Sequence, residues 1–272
     1  MANMPIKSLK VNGSTYDFVD NEARKTKADI AYVNKTHYGY SGDDLLIIPE
    51  GTTTIGDNAY RGTNYKCVVI PDSVTSIGKD AFDHCTGLKS ITIPDSVTSI
   101  GYEAFGSCWS VKSITIGNGV TSIGEMAFYS CGSTSITIPN SVKSIGNSAF
   151  AYSDSLTSIT IGNGVTSIGE MAFGYCTSLT SITIPDSVTS IGDLAFISCP
   201  LTTIDLTAYT TQSFPTIDGS TFNYIASNCQ IKVIKGRKAE LASMTNWSNL
   251  AGYIVEVPTI ETVAAGLEWG TF

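Results

Sequence analysis

The chain has 272 residues, a formal net charge of −8 and only 15% charged residues. An acidic, charge-poor chain with a sequence pI of about 4.7 is poorly suited to bind nucleic acid or an anionic membrane. Its apolar runs are all shorter than the roughly 18 residues of a membrane-spanning helix, so we expect no membrane insertion.

The N-terminal segment, residues 1–44, begins with the pattern of a β-hairpin. Ile6 to Val11 is the predicted first strand, Asn12-Gly13 is a strong two-residue turn signal, and Thr15 to Val19 is the returning strand. Asp20 then has the position of a helix cap ahead of Glu22, Ala23, Arg24 and Ala28. The first residues lack the apolar core of a secretory signal, so we expect none.

This segment resembles the start of phage and prophage structural proteins, notably tail-fibre and baseplate-associated ones. The residues that carry the resemblance are Val11-Asn12-Gly13, Tyr16-Asp17, Asp20 and Ala23-Arg24. The resemblance implies an attachment segment that joins other virion proteins through Val11, Tyr16 and Phe18. The alternative is a simple cap, because the chain leads directly into repeats and not into the shaft that such proteins usually have.

Residues 45–210 repeat one pattern, Leu88-x-x-Ile91-x-Ile93-Pro94-x-x-Val97-x-x-Ile100-Gly101-x-x-Ala104-Phe105-x-x-Cys108. Its glycine recurs at intervals of 22 or 23 residues, at Gly78, Gly101, Gly124, Gly146, Gly169 and Gly192. A fixed period in this range predicts a solenoid, in which each coil completes its core against its neighbours.

The pattern resembles the repeat of the BspA-like leucine-rich repeat family, and seven copies fit between about Leu46 and about Leu206. The resemblance implies a mainly β, right-handed solenoid with parallel strands, short helical turns and a C-terminal α/β cap. In Ser90-Ile91-Thr92-Ile93, apolar side chains alternate with hydroxyls, which predicts one half-buried strand per coil. The isoleucines then face the core, and an outward column is formed by Thr92, Thr115, Thr137, Thr160 and Thr183.

Two further features of the repeat concern its turns and its core. Pro94-Asp95-Ser96 alternates with Gly117-Asn118-Gly119 in successive repeats, which indicates that a pair of repeats was duplicated. Ala104-Phe105 is predicted to begin a single helical turn whose phenyl ring fills the coil. We therefore expect one buried aromatic ladder, formed by Tyr60, Phe82, Phe105, Phe128, Phe150, Phe173 and Phe196.

Five of the seven cysteines share one repeat position, namely Cys85, Cys108, Cys131, Cys176 and Cys199. Ser153 takes this position in the remaining full repeat. An odd number in one column argues against a disulfide framework, and free cysteine packs as a small apolar side chain. We predict a buried ladder of reduced thiols, with sporadic disulfides or a bound metal as the alternatives.

Residues 211–272 are predicted to close the solenoid and to form a tail. Ile231 to Ile234 is a predicted strand, residues 236–250 contain a predicted helix that runs past Trp247, and Tyr253 to Val255 is a last strand. This order resembles the terminal unit of the same repeat family, in which a helix with a tryptophan seals the last coil. A cap is required, because an open solenoid end is an unpaired edge.

The two chain ends are predicted to mediate assembly. Trp269 and Phe272 give the tail an apolar terminus, and exposed apolar residues usually mark interfaces. Either the tail docks on its own solenoid, or it joins a partner chain together with residues 1–44. In the second case the protein is a homo-oligomer, for which we expect a trimer. In the first case it is a monomer.

The sequence predicts no catalytic site, no metal site and no cofactor. The two histidines, His37 and His84, belong to no cluster with zinc-ligand spacing, and no base accompanies the many serines. Ligand-binding candidates are therefore outward positions, either the threonine column or the variable loop edge. Exposed aromatic side chains favour recognition, so we favour the edge, with Trp109, Tyr129, Tyr152 and Tyr175.

These features predict a non-enzymatic binding or structural protein. The N-terminal resemblance favours a virion component, made in the host cytoplasm, that presents the repeats for attachment to a host surface protein or glycan. The alternative is a bacterial cell-surface leucine-rich-repeat adhesin.

Overall fold

The computed structural model describes residues 8–11, 14–17 and 44–258. The first two ranges are strands β1 (Ser8–Val11) and β2 (Ser14–Asp17), which pair antiparallel, so the predicted hairpin is confirmed. The proposed contacts of Val11 and Tyr16 stay predictions. Outside the described residues lie the predicted turn at residues 12–13, the predicted helix after Asp20, and the assembly candidates Phe18, Trp269 and Phe272.

From residue 45 onward the chain forms a solenoid in which coils 1–8 each contribute two short strands. The first strands are β3 (Leu45–Ile47), β5 (Cys67–Val69), β7 (Ser90–Thr92), β9 (Ser113–Thr115), β11 (Ser135–Thr137), β13 (Ser158–Thr160), β15 (Ser181–Thr183) and β17 (Thr203–Asp205). The second strands are β4 (Thr54–Ile55), β6 (Ser76–Ile77), β8 (Ser99–Ile100), β10 (Ser122–Ile123), β12 (Ser144–Ile145), β14 (Ser167–Ile168), β16 (Ser190–Ile191) and β18 (Thr216–Ile217).

The prediction of a mainly β solenoid with parallel strands is confirmed, because the strand pairs between residues 45 and 257 are parallel. The count of one strand per coil is wrong, whereas the pattern of Val97 and Ile100, which predicts a second short strand, is confirmed. A second strand forms because Ser99-Ile100 and its equivalents again place a hydroxyl outward and an isoleucine in the core.

The two sets of strands differ in how they pair. The second strands form one sheet of eight, from β4 to β18 in coil order. The first strands form three separate pairs, β3–β5, β7–β9 and β11–β13. A fourth group joins β15 and β17 to the C-terminal strands β19 (Gln230–Ile234) and β20 (Ile254–Val257). We call the outer side of the first strands the hydroxyl face.

The core is a stack of similar layers with one aromatic ring per coil. Phe82 to Phe196 of the predicted ladder are at most 1% exposed. Their ring centroids lie 5.1 to 5.4 Å from those of their neighbours, and the stack continues to Phe222. Tyr60 is its first member, as predicted. The buried aromatic ladder is therefore confirmed.

The segment around Ala104-Phe105 is not the single helical turn that we predicted. Glu103 and Ser107 have left-handed φ values of 50° and 54°, which interrupt a right-handed helix and leave two turns. Backbone N–H groups point instead to the next coil: Phe105 donates to the carbonyl of Ala127 at 2.8 Å, and Ser107 to that of Tyr129 at 2.7 Å. The turns thus form a third ladder between coils, along a side that we call the turn edge.

The cysteine column is buried beneath the turn edge. All seven cysteines are free, and the five of the column are at most 2% exposed. The thiol of Cys131 donates to the carbonyl oxygen of Phe105 at 3.2 Å, and the hydroxyl of Ser153 bonds to that of Phe128 at 3.5 Å. The predicted burial is confirmed. The thiol suits this position because it combines a small apolar volume with a weak donor.

The C-terminal cap seals the last coil with a tryptophan, as predicted. Helix α1 (Lys238–Ser243) is followed by a 3-10 helix (Trp247–Tyr253), so the predicted single helix is divided in two. Trp247 is fully buried, packs 5.6 Å from the ring centroid of Phe222, and donates its indole N–H to the carbonyl of Pro215 at 2.8 Å. The aromatic ladder therefore ends in a satisfied, buried indole.

Candidate binding surfaces

The turn edge displays one column of residues with left-handed backbone. It lies two residues after the ladder phenylalanines, and φ is between 53° and 64° for His84, Ser107, Ser130, Tyr152, Tyr175, Ser198 and Tyr224. The side chains of this column point away from the core ring of the same coil, so their identity is free to vary. Serine occupies three of these positions, and the fold therefore does not require an aromatic side chain there.

Three tyrosines of the turn edge form a row of contacting rings, tilted by 51° between Tyr129 and Tyr152 and stacked between Tyr152 and Tyr175. The ring centroids of Tyr129 and Tyr152 are 5.3 Å apart, and those of Tyr152 and Tyr175 are 4.6 Å apart with nearly parallel planes. Tyr152 is 40% exposed, and its two neighbours are half-buried. The three rings come from consecutive coils: Tyr152 and Tyr175 share the left-handed column position, and Tyr129 lies one residue after its ladder aromatic. We call Tyr129, Tyr152 and Tyr175 the tyrosine ridge.

Trp109 is a separate feature of the same edge. Its side chain is 56% exposed, and its ring meets that of His84 edge-on with centroids 6.3 Å apart. The sequence grouped Trp109 with the three tyrosines, but it lies one residue after the cysteine column and contacts the preceding coil. The structure thus divides the predicted edge site into the tyrosine ridge and a Trp109–His84 pair.

A buried acidic cluster lies below His84. The carboxylate of Asp83 has no exposed surface and accepts a hydrogen bond from Arg61 Nε at 2.9 Å, and its second oxygen lies 2.7 Å from His84 Nδ1. Partial burial, together with the negative charges of Asp83 and Asp80, raises the pKa of the Glu103 carboxyl. The cluster holds the His84 ring in place. Farther along the same edge, the side chains of the tyrosine ridge are neutral.

Sequence reasoning missed Tyr224, which is the most exposed large apolar side chain of the described residues at 79%. It follows Phe222 by two residues, as Tyr152 follows Phe150, and this offset was the available signal. The lower similarity of the eighth coil to the repeat pattern concealed it. Tyr224 extends the aromatic character of the turn edge towards the C-terminal cap.

The hydroxyl face carries the predicted threonine column. All five of its members are exposed, as predicted: Thr92, Thr115, Thr137, Thr160 and Thr183. Within the described part of the chain, none of these five hydroxyls makes an intramolecular hydrogen bond. By contrast, the exposed threonines that precede the second strands donate to a carbonyl of the preceding coil, as Thr121 does to Thr98 at 3.1 Å. Only the first column is therefore available to a partner.

For residues 8–11, 14–17 and 44–258, no group of three or more histidine, cysteine or acidic side chains is placed to hold a metal ion. No helix in these ranges has the length and apolar character needed to cross a membrane.

Comparison with known proteins matches the repeats. The model of the family described as BspA type leucine rich repeat region fits residues 44–157 and 143–244, in six copies. A search of the curated proteins found no match.

Solved structures of leucine-rich repeat proteins are similar to this chain. A leucine-rich repeat protein from Bacteroides ovatus is 27% identical, with a TM-score of 0.54 over 70% of this chain and 63% of that one. A leucine rich cell surface protein from Faecalibacterium prausnitzii is 30% identical, with a TM-score of 0.47 over 75% of this chain and 62% of that one. The chain thus spans less than two thirds of the length of either protein.

Proposed function

Because this chain belongs to the BspA-type leucine-rich repeat family, we propose that it is a non-catalytic binding protein of the bacterial cell surface, which holds its partner against the turn edge. The observation that carries the proposal is the tyrosine ridge: three contacting rings, of which Tyr152 and Tyr175 stand at column positions where other coils have serine.

The ridge has the properties of a recognition surface. Stacked tyrosines offer a large, rigid area with few rotatable bonds, so little conformational entropy is lost when a partner binds. Their hydroxyl groups add donors and acceptors at the rim. The core residues below are almost unchanged from coil to coil, whereas the edge column varies. Side-chain identity at the edge therefore serves something other than folding.

The cell-surface location replaces the virion location that the N-terminal resemblance favoured. The similarity to a Bacteroides ovatus protein supports the bacterial alternative. For the virion hypothesis, the described part of residues 1–44 supplies only the β-hairpin as support. A surface location is also how the Faecalibacterium prausnitzii protein is described. Attachment to other chains through residues 1–44, and a trimer, stay predictions.

The test replaces ridge tyrosines by the residue that other coils use at the same position. Beads that carry the full chain are counted on an epithelial cell monolayer, and the Tyr152→Ser/Tyr175→Ser variant is expected to reduce attachment roughly tenfold. Ser130 and Ser198 show that serine fits this backbone, so the variant folds. The control is Thr166→Val, on the outer side of the second strands. Equal attachment of both variants, or no attachment of the unaltered chain, contradicts the proposal.

A further inference from the structure

The coils of the solenoid are grouped in pairs on the hydroxyl face. Strand β9 of coil 4 is hydrogen-bonded to β7 of coil 3 but not to β11 of coil 5, and β13 of coil 6 is bonded to β11 but not to β15. The second strands of the same coils form one unbroken sheet. The gaps between coils 2 and 3, between coils 4 and 5 and between coils 6 and 7 are therefore local to the hydroxyl face.

Glycine permits the close approach of coils in two of the four pairs. A Cβ on Gly162 would lie 2.5 Å from the carbonyl oxygen of Pro139 in the preceding coil, and one on Gly117 would meet the carbonyl of Pro94 in the same way. Because glycine has no Cβ, coils 4 and 6 can approach coils 3 and 5, which have proline at this position. The gaps lie on the other side of coils 4 and 6. Coil 2 pairs with coil 1, and coil 8 pairs with coil 7, without a glycine at this position, where Pro71 and Thr207 stand. Glycine therefore permits the close approach in two of the four pairs, and it does not by itself set the two-coil period.

Core isoleucines are slightly more exposed beside two of the gaps. In coil 4, Ile114 and Ile116 are 7% and 6% exposed, and in coil 6, Ile159 and Ile161 are 8% and 6% exposed. The equivalent isoleucines of coils 3, 5 and 7 are at most 3% exposed. In coil 2, beside the gap between coils 2 and 3, Val68 and Ile70 are 6% and 8% exposed. The same structural change therefore occurs three times, at intervals of two coils.

The gap between coils 4 and 5 is a cleft of about 280 Å³. Its lining combines apolar side chains with the free hydroxyls of the threonine column and one carboxamide, from Ile114, Thr115, Ile116, Asn118, Thr137 and Pro139. None of these side chains carries a charge. The corresponding residues at the gap between coils 6 and 7 are Ile159, Thr160, Ile161, Asn163, Thr183 and Pro185.

We propose that the cleft between coils 4 and 5, together with the equivalent gap between coils 6 and 7, binds a linear, neutral polysaccharide. The gap between coils 2 and 3 differs, because the charged Asp72 stands where the other two have Asn118 and Asn163. A sugar ring has apolar C–H faces and a rim of hydroxyl groups, which match an isoleucine floor between threonine hydroxyls and an asparagine amide. The uncharged lining disfavours an acidic or basic ligand, since neither would find a counter-ion. Two equivalent clefts in line, two coils apart, fit a ligand that repeats along its length, and binding at both raises the affinity. This site is independent of the tyrosine ridge.

The test removes hydroxyls from the clefts without changing side-chain shape. The full chain is run through native gels that contain mannan, mixed-linkage β-glucan or amylopectin, and at least one of these is expected to retard it. The Thr115→Val/Thr137→Val variant should lower the affinity roughly tenfold, because two hydrogen bonds are lost. Adding Thr160→Val/Thr183→Val should abolish retardation.

The matched control replaces four threonines whose hydroxyls are bonded to the backbone, at Thr98, Thr121, Thr166 and Thr189. It should bind as the unaltered chain does, and the Tyr152→Ser/Tyr175→Ser variant should also bind normally. The inference is overturned if no neutral polysaccharide retards the protein, if the uronic-acid polymer alginate retards it equally, or if the control weakens binding as much as the cleft variant. A dimer in light scattering that the cleft variant abolishes would also overturn it, since the clefts would then hold a second copy.

Discussion

The hydroxyl face and the turn edge come from the same repeats, yet one is uniform and the other varies. On the hydroxyl face, the two-residue period of a strand requires every outward position to suit a pleated sheet, and threonine meets that requirement in five coils. On the turn edge, a left-handed residue in each coil directs its side chain away from the core, and serine, histidine and tyrosine all occur there. A uniform surface suits a repeating partner, whereas a varied one suits a specific partner.

The largest expected effect breaks the pairing of coils that distinguishes the hydroxyl face. Gly117→Ala places a methyl group against the Pro94 carbonyl, and we expect the free energy of unfolding to fall by about 1–3 kcal/mol in urea titrations. Gly56→Ala is the matched control, because its Cβ would meet no atom within 4 Å, and it should change stability by less than about 0.5 kcal/mol. Equal effects of the two substitutions would contradict the role given to the glycines.

An intermediate effect on stability concerns the buried thiols. They lie beneath the turn edge and not beneath the hydroxyl face. Hydrogen bonding to neighbouring thiols and burial raise the pKa of Cys108 and Cys176 well above the ordinary value. A thiol whose pKa is higher in the folded state than in the unfolded state contributes its full stabilisation at pH values below the unfolded pKa of about 8.5. This contribution is lost as the pH rises through the folded pKa. The free energy of unfolding should therefore fall as the pH is raised above about 8.5.

The control for this titration is Cys108→Ser/Cys176→Ser, which uses the residue that Ser153 already shows to fit the column. The double variant should lose less stability between neutral and alkaline pH, measured by urea unfolding at each pH. An identical loss in both proteins would place the alkaline sensitivity elsewhere. At pH 9 the native protein should also react with a thiol reagent far more slowly than the denatured protein does.

The smallest expected effect concerns the acidic cluster, which gives the turn edge its pH dependence. Glu103 has a pKa raised by partial burial and by Asp83 and Asp80, so its charged form is disfavoured in the folded state. Its favourable contribution is present below the unfolded pKa and is lost as the pH rises through the folded pKa. Glu103→Gln should therefore raise the melting temperature by roughly 1 °C at pH 7 and leave it unchanged at pH 4.

For this last comparison the control is Glu170→Gln, an exposed residue in a later turn. Differential scanning calorimetry at both pH values measures the two shifts. A lower melting temperature for Glu103→Gln at pH 7 would mean that attraction to Arg61 outweighs the repulsion within the cluster.

Sequence reasoning was correct where a position repeats. The ladder from Phe82 to Phe196, the burial of Cys131 and its equivalents, and the outward column of Thr115 all follow from a 22–23-residue period and a two-residue strand pattern. It was wrong for the turn at Ala104-Phe105, because the left-handed conformation of Glu103 and Ser107 has no residue signature. Neither is glycine or asparagine, the residues that normally announce it.

The sequence by itself determined the solenoid, its core layers and which face carries hydroxyls, because each depends only on the order of apolar and polar residues along one repeat. The tertiary structure decided how neighbouring coils meet. It brought the rings of Tyr129, Tyr152 and Tyr175 into contact while separating Trp109 from them, and it left gaps between pairs of coils on the hydroxyl face, one of them a cleft. These features depend on contacts of a few ångströms between residues some 22 positions apart, and the pattern of a single repeat does not specify such contacts.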